Sequence, residues 1–381
     1  IGRSVGSLFD VVDLESLEVL RGPQGTLYGR NTIGGAIKLT SVKPQFENSG
    51  KVSAVLGNYE RVELKGTGNF QLGERTALRV TGFSRERDGF HDVIPNGLST
   101  GQTREGVGRL DTLAFRASLL HEFNDTWSVM VALDHTDDRS DPIPDSVDPE
   151  VDADGDIFTI EPVPGSECGV APAGSTTPYN SIGCCTGYDQ ELTSTGLSAT
   201  IEGAFGDLDF TSITGYRQLE DELATRIGLN FNQMTDQDQF SQEFTIASDA
   251  AENFTWLAGL YYFTEDLQLD SVFAFPFTLS STTDSFAIFG QGTFDVSDVL
   301  SLTGGIRYTD ETKDFEGANL ASFPPFNGFT RTDSADFENV SFTVGADYQV
   351  TDDILGYAKY STGFKSGGWS PDAFSGTAVF L

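Results

Sequence analysis

The sequence predicts an all-β protein, an antiparallel β-barrel that crosses a membrane. Its composition favours strands and turns over helices, because serine, threonine, tyrosine, glycine and phenylalanine are abundant, with 42 glycines and 30 phenylalanines among 381 residues. Thirteen segments alternate apolar and polar residues, as strands with two different faces do. Short and long connections alternate between these segments, which is typical of outer-membrane barrels.

The charge of the chain excludes one large class of function. It has 57 acidic and 23 basic residues, and its formal net charge is −34. A general nucleic-acid binder needs the opposite sign to neutralise phosphates, so no nucleic-acid partner is expected. No apolar run reaches the length of about 18 residues that a membrane-spanning helix requires. Membrane strands alternate instead, so this absence is compatible with a barrel.

The first element is a glycine-rich stretch that runs from Leu17 to Thr40. It contains five glycines and one proline, together with apolar residues such as Leu27, Tyr28 and Ile33. A flexible linker would be polar, whereas this stretch is not. Glycine permits sharp turns and close approach of the backbone. The stretch therefore predicts compact irregular structure held tightly against another part of the protein.

The pattern changes to strand-like alternation after Pro44. In one segment the apolar Leu78 and Val80 alternate with the polar Arg79 and Thr81. Strands of about 9–11 residues suit a tilted membrane crossing. The predicted strands cover 50–56, 61–71, 75–84, 110–122, 126–137, 189–204, 207–218, 238–248, 253–265, 283–295, 299–310, 338–350 and 354–362.

The connections between these strands are sorted by length. Every second connection is a tight turn, and those between them are mostly long; only the connection at Gly57 breaks this rule. A soluble β-sandwich, the alternative fold, has no reason to sort its loops in this way. The tight turns begin at Gln71, Phe123, Phe205, Ser248, Val296 and Thr351, and the long loops cover 85–109, 138–188, 219–237, 266–282 and 311–337.

The insertion 138–188 is strongly acidic, with ten acidic residues from Asp138 to Glu167. Asp152, Asp154 and Asp156 have the spacing of the first three ligands of an EF-hand calcium loop. The match then fails, because isoleucine follows where the motif has glycine, and the twelfth position is valine instead of glutamate. Two interpretations stay open: a calcium site, with Ca²⁺ as the cofactor, and a solvated acidic loop.

All three cysteines lie in the same insertion, at Cys168, Cys184 and Cys185. Their spacing fits neither a zinc site nor a redox pair. A disulfide from Cys168 to Cys184 or Cys185 would close a loop of about 16 residues and contribute roughly 3 kcal/mol. The other interpretation is three unpaired small side chains.

No catalytic motif is present, so we expect a protein that is not an enzyme. The sequence lacks the nucleophile-elbow, zinc-protease and phosphate-loop patterns. Large aromatic residues, most of them at segment ends or on apolar faces, could form a sugar-binding platform, but a membrane-interface girdle explains them more simply. They include Trp127, Trp256, Tyr261, Tyr262 and Tyr308.

The glycine-rich stretch resembles the plug domain of TonB-dependent outer-membrane receptors. The resemblance rests on Arg21, Gly22, Pro23, Gln24 and Gly25, followed by Tyr28-Gly29-Arg30-Asn31 and Gly34-Gly35-Ala36-Ile37. The strands 241–248 and 356–369 also resemble recurrent barrel strands of this family. The resemblance to this family covers essentially the whole chain.

The resemblance implies a 22-stranded barrel filled by a plug. We expect residues 1–44 to be the C-terminal part of the plug and 45–381 to be about the first thirteen barrel strands. It also implies an outer-membrane active transporter for a siderophore, cobalamin, haem or an oligosaccharide, driven by the TonB–ExbB–ExbD complex through a segment that this sequence lacks. A passive porin or adhesive barrel is the alternative, and a plug argues against it.

Arg21 is the predicted contact between plug and barrel. Alternation in the strand around Glu243 places this carboxylate on the polar, lumenal face, where it could pair with the Arg21 guanidinium. Another lumenal acid such as Glu63, or backbone and water, is the alternative partner. A lipid-facing charge is costly, so four charged strand residues are expected to face the lumen: Arg79, Arg116, Glu243 and Lys359.

Overall fold

The computed structural model describes residues 13–93, 104–142, 180–181, 189–227, 229–248, 253–273, 275–323 and 326–368. These residues form one large antiparallel sheet of thirteen strands, a two-stranded hairpin and a small three-stranded sheet. No helix in these ranges has the length and apolar character needed to cross a membrane. The prediction of an all-β antiparallel protein is confirmed.

The glycine-rich stretch folds as a hairpin, here called the N-terminal hairpin (14–41). It contains β1 (Leu14–Arg21), the single helical turn α1 (Gly25–Tyr28) and β2 (Gly35–Ser41), and the two strands pair antiparallel. Gly22 and Gly29 have φ angles of 77° and 75°, a left-handed conformation that favours glycine. The chain can therefore turn sharply on both sides of α1.

The large sheet follows chain order from one edge to the other, interrupted only by the small sheet. The small sheet contains β6 (His91–Val93), β7 (Arg104–Val107) and β10 (Asn180–Ser181). The large sheet contains β3 (Ser49–Leu56), β4 (Val62–Gln71), β5 (Thr76–Arg87), β8 (Leu110–Glu122), β9 (Ser128–Asp138), β11 (Asp189–Phe205), β12 (Leu208–Ile227), β13 (Leu229–Ser248), β14 (Phe254–Phe273), β15 (Phe275–Ser297), β16 (Leu300–Phe323), β17 (Phe326–Thr351) and β18 (Ile354–Ser361).

Each of the thirteen predicted strands corresponds to one strand of the large sheet. Three predicted long loops, 219–237, 266–282 and 311–337, are wrong. They are instead the paired continuations of β12 to β17, which reach 20–26 residues. In these continuations the outward face becomes mostly polar, and on β14 and β15 the apolar residues Leu267, Leu269 and Leu279 lie on the hairpin side instead. The membrane-type pattern of an apolar outward face therefore ends although the ladder continues.

One face of the large sheet carries the contacts to the N-terminal hairpin. Arg79 on β5 donates to the carboxylate of Asp13, directly before the hairpin, at 2.5 and 2.7 Å. Arg79 lies opposite Ser118, and Arg116 lies two residues away from Ser118 on β8. Because opposite residues share a face and strand side chains repeat every second residue, both arginines face the hairpin, as predicted.

The register extends this face across the remaining strands. Glu243 lies on the same face as Arg307, which contacts the hairpin. Lys359 pairs with Gly345, two residues from Thr343, another hairpin contact. All four charged residues predicted to face the lumen therefore share the hairpin side of the sheet.

The other face carries exposed apolar side chains. Leu113 and Ile288 are 59% and 52% exposed, and Phe115, Leu119 and Phe286 are exposed beside them. A soluble protein rarely leaves so continuous an apolar surface in water, whereas lipid accommodates it. Among the aromatic residues assigned to a girdle, Tyr261 is an exception, because it faces the hairpin side below Arg307.

Candidate functional site: the contact between the N-terminal hairpin and the large sheet

The helical turn α1 lies directly on the wall formed by β15, β16 and β17. A Cβ atom on Gly25 would lie 2.7 Å from the Thr362 carbonyl oxygen and 2.8 Å from Ser341 Oγ. The next residue, Thr26, is only 3% exposed, and its hydroxyl lies 2.9 Å from the Thr343 hydroxyl. Glycine is required at position 25 because the two backbones meet there without room for a side chain.

Arg30 carries the buried charge contact between the hairpin and the wall. Its Nη1 donates to Glu311 Oε2 at 2.6 Å, and the Glu311 side chain is completely buried. The Arg30 guanidinium also lies 4.5 Å from the centre of the Phe263 ring. Removing Arg30 would take a counter-charge away from a fully buried carboxylate, so the contact positions the hairpin on β16.

Lys313 provides a second cation for the same carboxylate. Its Nζ lies 3.3 Å from Glu311 Oε1, within ion-pair distance but without the geometry of a hydrogen bond. The same ammonium donates to Ser366 Oγ and to the Gly367 carbonyl oxygen, each at 2.9 Å. Glu311 is thus connected both to the hairpin and to the chain that follows β18.

The chain after β18, residues 362–368, is here called the return segment. The amide of Asn31 in the hairpin donates to the Phe364 carbonyl oxygen at 3.0 Å. Gly363 packs against Ile33, and a Cβ on this glycine would lie 3.3 Å from Ile33 Cα. The return segment and the wall therefore hold the hairpin from two sides.

Arg307 is a second buried cation of the wall. Its side chain is 4% exposed, its Nε donates to Thr309 Oγ1 at 3.2 Å, and its guanidinium lies 5.5 and 5.1 Å from the rings of Tyr261 and Phe289. A Cβ on Gly29 would lie 3.0 Å from Arg307 Nη2. The left-handed glycine of the hairpin therefore covers this guanidinium directly.

The base of the hairpin is fixed by Asp13. The hydrogen bonds from Arg79 hold the pKa of the Asp13 carboxyl below its usual value, although burial opposes this. Lys43, after the hairpin, lies 2.9 Å from Glu202, but both side chains are about half exposed and the pair adds little stability. Asp13 is therefore the stronger anchor.

The structure does not bring Arg21 and Glu243 together. Arg21 is exposed at the end of β1, and no ion pair joins it to Glu243 or to Glu63 within the ranges that the structure describes. Its carbonyl oxygen instead accepts from the Gln24 side-chain Nε2 at 3.2 Å. The predicted pair is thus replaced by a pair nine residues later, Arg30 with Glu311.

The other residues of the predicted plug motif have backbone roles. Gly22 makes the turn after β1, and the backbone N–H of Gln24 donates to the Thr32 carbonyl oxygen at 3.0 Å. Pro23 lies beside Gly363 of the return segment. The calcium candidates Asp152, Asp154 and Asp156 and the cysteines Cys168, Cys184 and Cys185 lie outside the described residues and stay predictions.

Two family models match the sequence. The model described as "TonB dependent receptor-like, beta-barrel" matches residues 52–380, and the "TonB-dependent Receptor Plug Domain" matches residues 2–36. The N-terminal hairpin lies largely within the second match, and the large sheet lies within the first except for the start of β3.

Similar proteins agree with these matches. The Ferrioxamine B receptor of Salmonella typhimurium is 42% identical over 77 residues, 20% of this chain and 11% of the relative. The Pesticin receptor of Yersinia pestis is 24% identical over 96% of this chain and 51% of its own length. Against the crystal structure of the ferric yersiniabactin uptake receptor FyuA from Yersinia pestis the TM-score is 0.77, with 19% identity, covering 97% of this chain and 54% of that one. The chain therefore spans about half the length of the relatives that it matches from end to end.

Proposed function

The chain belongs to the TonB-dependent receptor family, and from this premise we propose that it is part of an outer-membrane active transporter. Its apolar outward face lies in the outer membrane, and the N-terminal hairpin is part of a plug inside the lumen. The transporter binds a scarce extracellular solute and imports it with energy that the TonB–ExbB–ExbD complex delivers. The coupling contact is made outside the part of the chain that the structure describes.

The contact of Arg30 with the buried Glu311 carries this proposal. A passive porin has an open lumen and no need for an element that neutralises a buried carboxylate on its wall. Polar groups connect the hairpin and the residue directly before it to the large sheet, including Arg30 with Glu311, Thr26 with Thr343 and Asp13 with Arg79. Water can replace such partners when the hairpin moves, so a pulling force can displace it without exposing a large apolar core.

We propose ferric siderophores as the first substrate class to test. The names of two proteins similar to this chain, a ferrioxamine receptor and a ferric yersiniabactin uptake receptor, support this choice. Ligand recognition in this proposal uses the long strand continuations of β12 to β17 and the outer surface of the plug.

Uptake in cells tests the function. The full-length receptor is expressed in an iron-starved strain without other siderophore receptors, and uptake of radiolabelled ferric siderophores is measured with and without a proton uncoupler. We expect uptake that stops when the uncoupler is added or when TonB is deleted, while binding at the cell surface persists. Uptake that continues under both conditions would support the passive porin instead. Labelled cobalamin in the same cells is the control for substrate class.

A further inference from the structure

A groove lies on the outward face of β14 to β17, on the side of the sheet opposite to the hairpin. It has a volume of about 440 Å³, and the backbone at Gly290, Gly292 and Gly304 forms its floor. A Cβ on Gly304 would meet no atom within 4 Å, and one on Gly290 would meet only the Leu257 carbonyl oxygen at 3.4 Å before ordinary contact. At Gly290 and Gly304 the floor is therefore low because side chains are absent, whereas at Gly292 the Phe254 ring covers it.

The walls of the groove are apolar. Trp256 on β14 stands on one side, Phe342 and Val344 on β17 stand on the other, and Ile306 on β16 rises between them opposite Gly290. The two walls are three strand spacings apart, about 14 Å between backbones. The Phe254 ring lies against Gly292 and closes the groove toward the short turns. No charged side chain is among the lining residues.

The position of the groove along the strands identifies its surroundings. Along β16, the outward residues above Gly304 are Ile306, Tyr308 and then Asp310, the first acidic residue. Asp310 lies six residues above the floor, about 20 Å along the strand. An outward apolar band of a membrane barrel is about 25 Å tall, so the groove occupies the half nearer the short turns.

We propose that this groove holds one acyl chain of a lipid in the periplasm-facing leaflet of the outer membrane. This inference rests on the membrane location given under the proposed function, because short turns face the periplasm in such barrels. A straight hydrocarbon chain has no polar atom to leave unpaired and restores the dispersion contacts that the bare glycine floor lacks. The groove is continuous with the exposed apolar face, so the chain enters from the bilayer without crossing a polar rim.

Photo-crosslinking tests the site directly. The full-length receptor is reconstituted in vesicles of phosphatidylcholine that carries a diazirine in one acyl chain, and lipid adducts are mapped by mass spectrometry. We expect adducts at Trp256 and Phe342 to exceed those on the exposed face around Leu113 several-fold. Gly304→Leu fills the floor and should reduce adducts at Trp256 and Phe342 to the level of the rest of the face.

Gly66→Leu is the matched control. Gly66 also faces outward, and a Cβ there meets no atom within 4 Å, but it lies on β4, away from the groove. This variant should label like the wild type. Equal labelling of the groove and the rest of the apolar face would overturn the acyl-chain site. Absence of lipid adducts everywhere on the face would overturn the membrane location itself, so the two failures can be distinguished.

Discussion

At the scale of single residues, the function depends on how Glu311 is compensated. This carboxylate is fully buried and has Arg30 of the hairpin and Lys313 of its own strand as counter-charges. The second cation stays with the wall when the hairpin moves. Lys313 therefore still compensates the negative charge of Glu311 after Arg30 has moved away with the hairpin.

Replacing Arg30 should loosen the hairpin while the sheet stays folded. We expect Arg30→Ala to lower the free energy of hairpin opening by up to about 3 kcal/mol, at or below the low end of the cost of breaking a buried pair, because Lys313 still compensates Glu311. Hydrogen exchange of the hairpin amides measures this energy. The control is Lys38→Ala, because Lys38 pairs with Glu18 in the same hairpin but both side chains are nearly half exposed. Lys38→Ala should lower the free energy of hairpin opening by less than about 1 kcal/mol. Equal effects of the two variants would contradict the role of Arg30.

A methyl group at position 25 should also displace the hairpin. Gly25→Ala places its Cβ within 2.7–2.9 Å of backbone atoms and of Ser341, so α1 must move away from the wall. Faster exchange of the amides around Thr26 is the expected result. Gly34→Ala is the matched variant, because its Cβ would meet nothing within 4 Å. Similar exchange rates in both variants would show that the close approach of Gly25 to the wall does not hold α1 in place.

The contact of Asp13 with Arg79 should make the hairpin base sensitive to acid. The pKa of Asp13 is lowered from 3.8 in the folded state, so its contribution to stability is complete above that value. The contribution is lost as the pH falls through the lower, folded-state pKa. Exchange at the hairpin base should therefore accelerate in acid below pH 3.8 in the wild type. In Asp13→Asn, amide exchange at the hairpin base should already be fast at neutral pH and should show no acceleration in acid. A wild-type receptor without this acceleration would argue against Asp13 as the anchor of the hairpin.

At the scale of elements, the sequence predicts where strands start at the short turns better than where they end on the other side. Alternation identified all thirteen strands, because near the short turns one face is apolar and the other polar. It failed beyond Thr309 on β16, where Asp310, Glu311 and Lys313 follow each other although they lie on two faces. The sequence pattern therefore predicts a loop at Glu311, and it does not identify Arg30 as the partner of this carboxylate even though Arg30 lies within the plug motif.

The paired continuation of β16 and β17 can be tested by a disulfide. Asp314 and Ser334 are directly opposite, which places their Cα atoms about 4.5–5.5 Å apart, within the range that a disulfide spans. After the three native cysteines are replaced by serine, Asp314→Cys with Ser334→Cys should cross-link efficiently under mild oxidation. Asp314→Cys with Thr330→Cys, which is four residues out of register, should not. Equal cross-linking of both pairs would indicate a flexible loop of the kind that the sequence predicted.

At the scale of the whole molecule, the sheet and the hairpin have different tasks. The sheet is held by continuous ladders between neighbouring strands, so loss of the hairpin removes none of its backbone hydrogen bonds. The hairpin is held by a small number of side-chain contacts, the return segment and α1. Force applied to the plug should therefore separate the hairpin from the wall before any strand leaves the sheet.

Locking the hairpin to the wall should stop transport without affecting ligand binding. The hydroxyls of Thr26 and Thr343 are 2.9 Å apart, so cysteines at these two positions can form a disulfide between α1 and β17. In a receptor without the native cysteines, the oxidised pair should bind its solute normally but import none, and a reductant should restore uptake. The oxidised Asp314→Cys, Ser334→Cys receptor, cross-linked within the wall only, is the control and should transport at the normal rate. If the Thr26–Thr343 disulfide left uptake unchanged, the solute would have to pass without separation of α1 from the wall. The proposed movement of the hairpin would then be wrong even though the chain remained a receptor of this family.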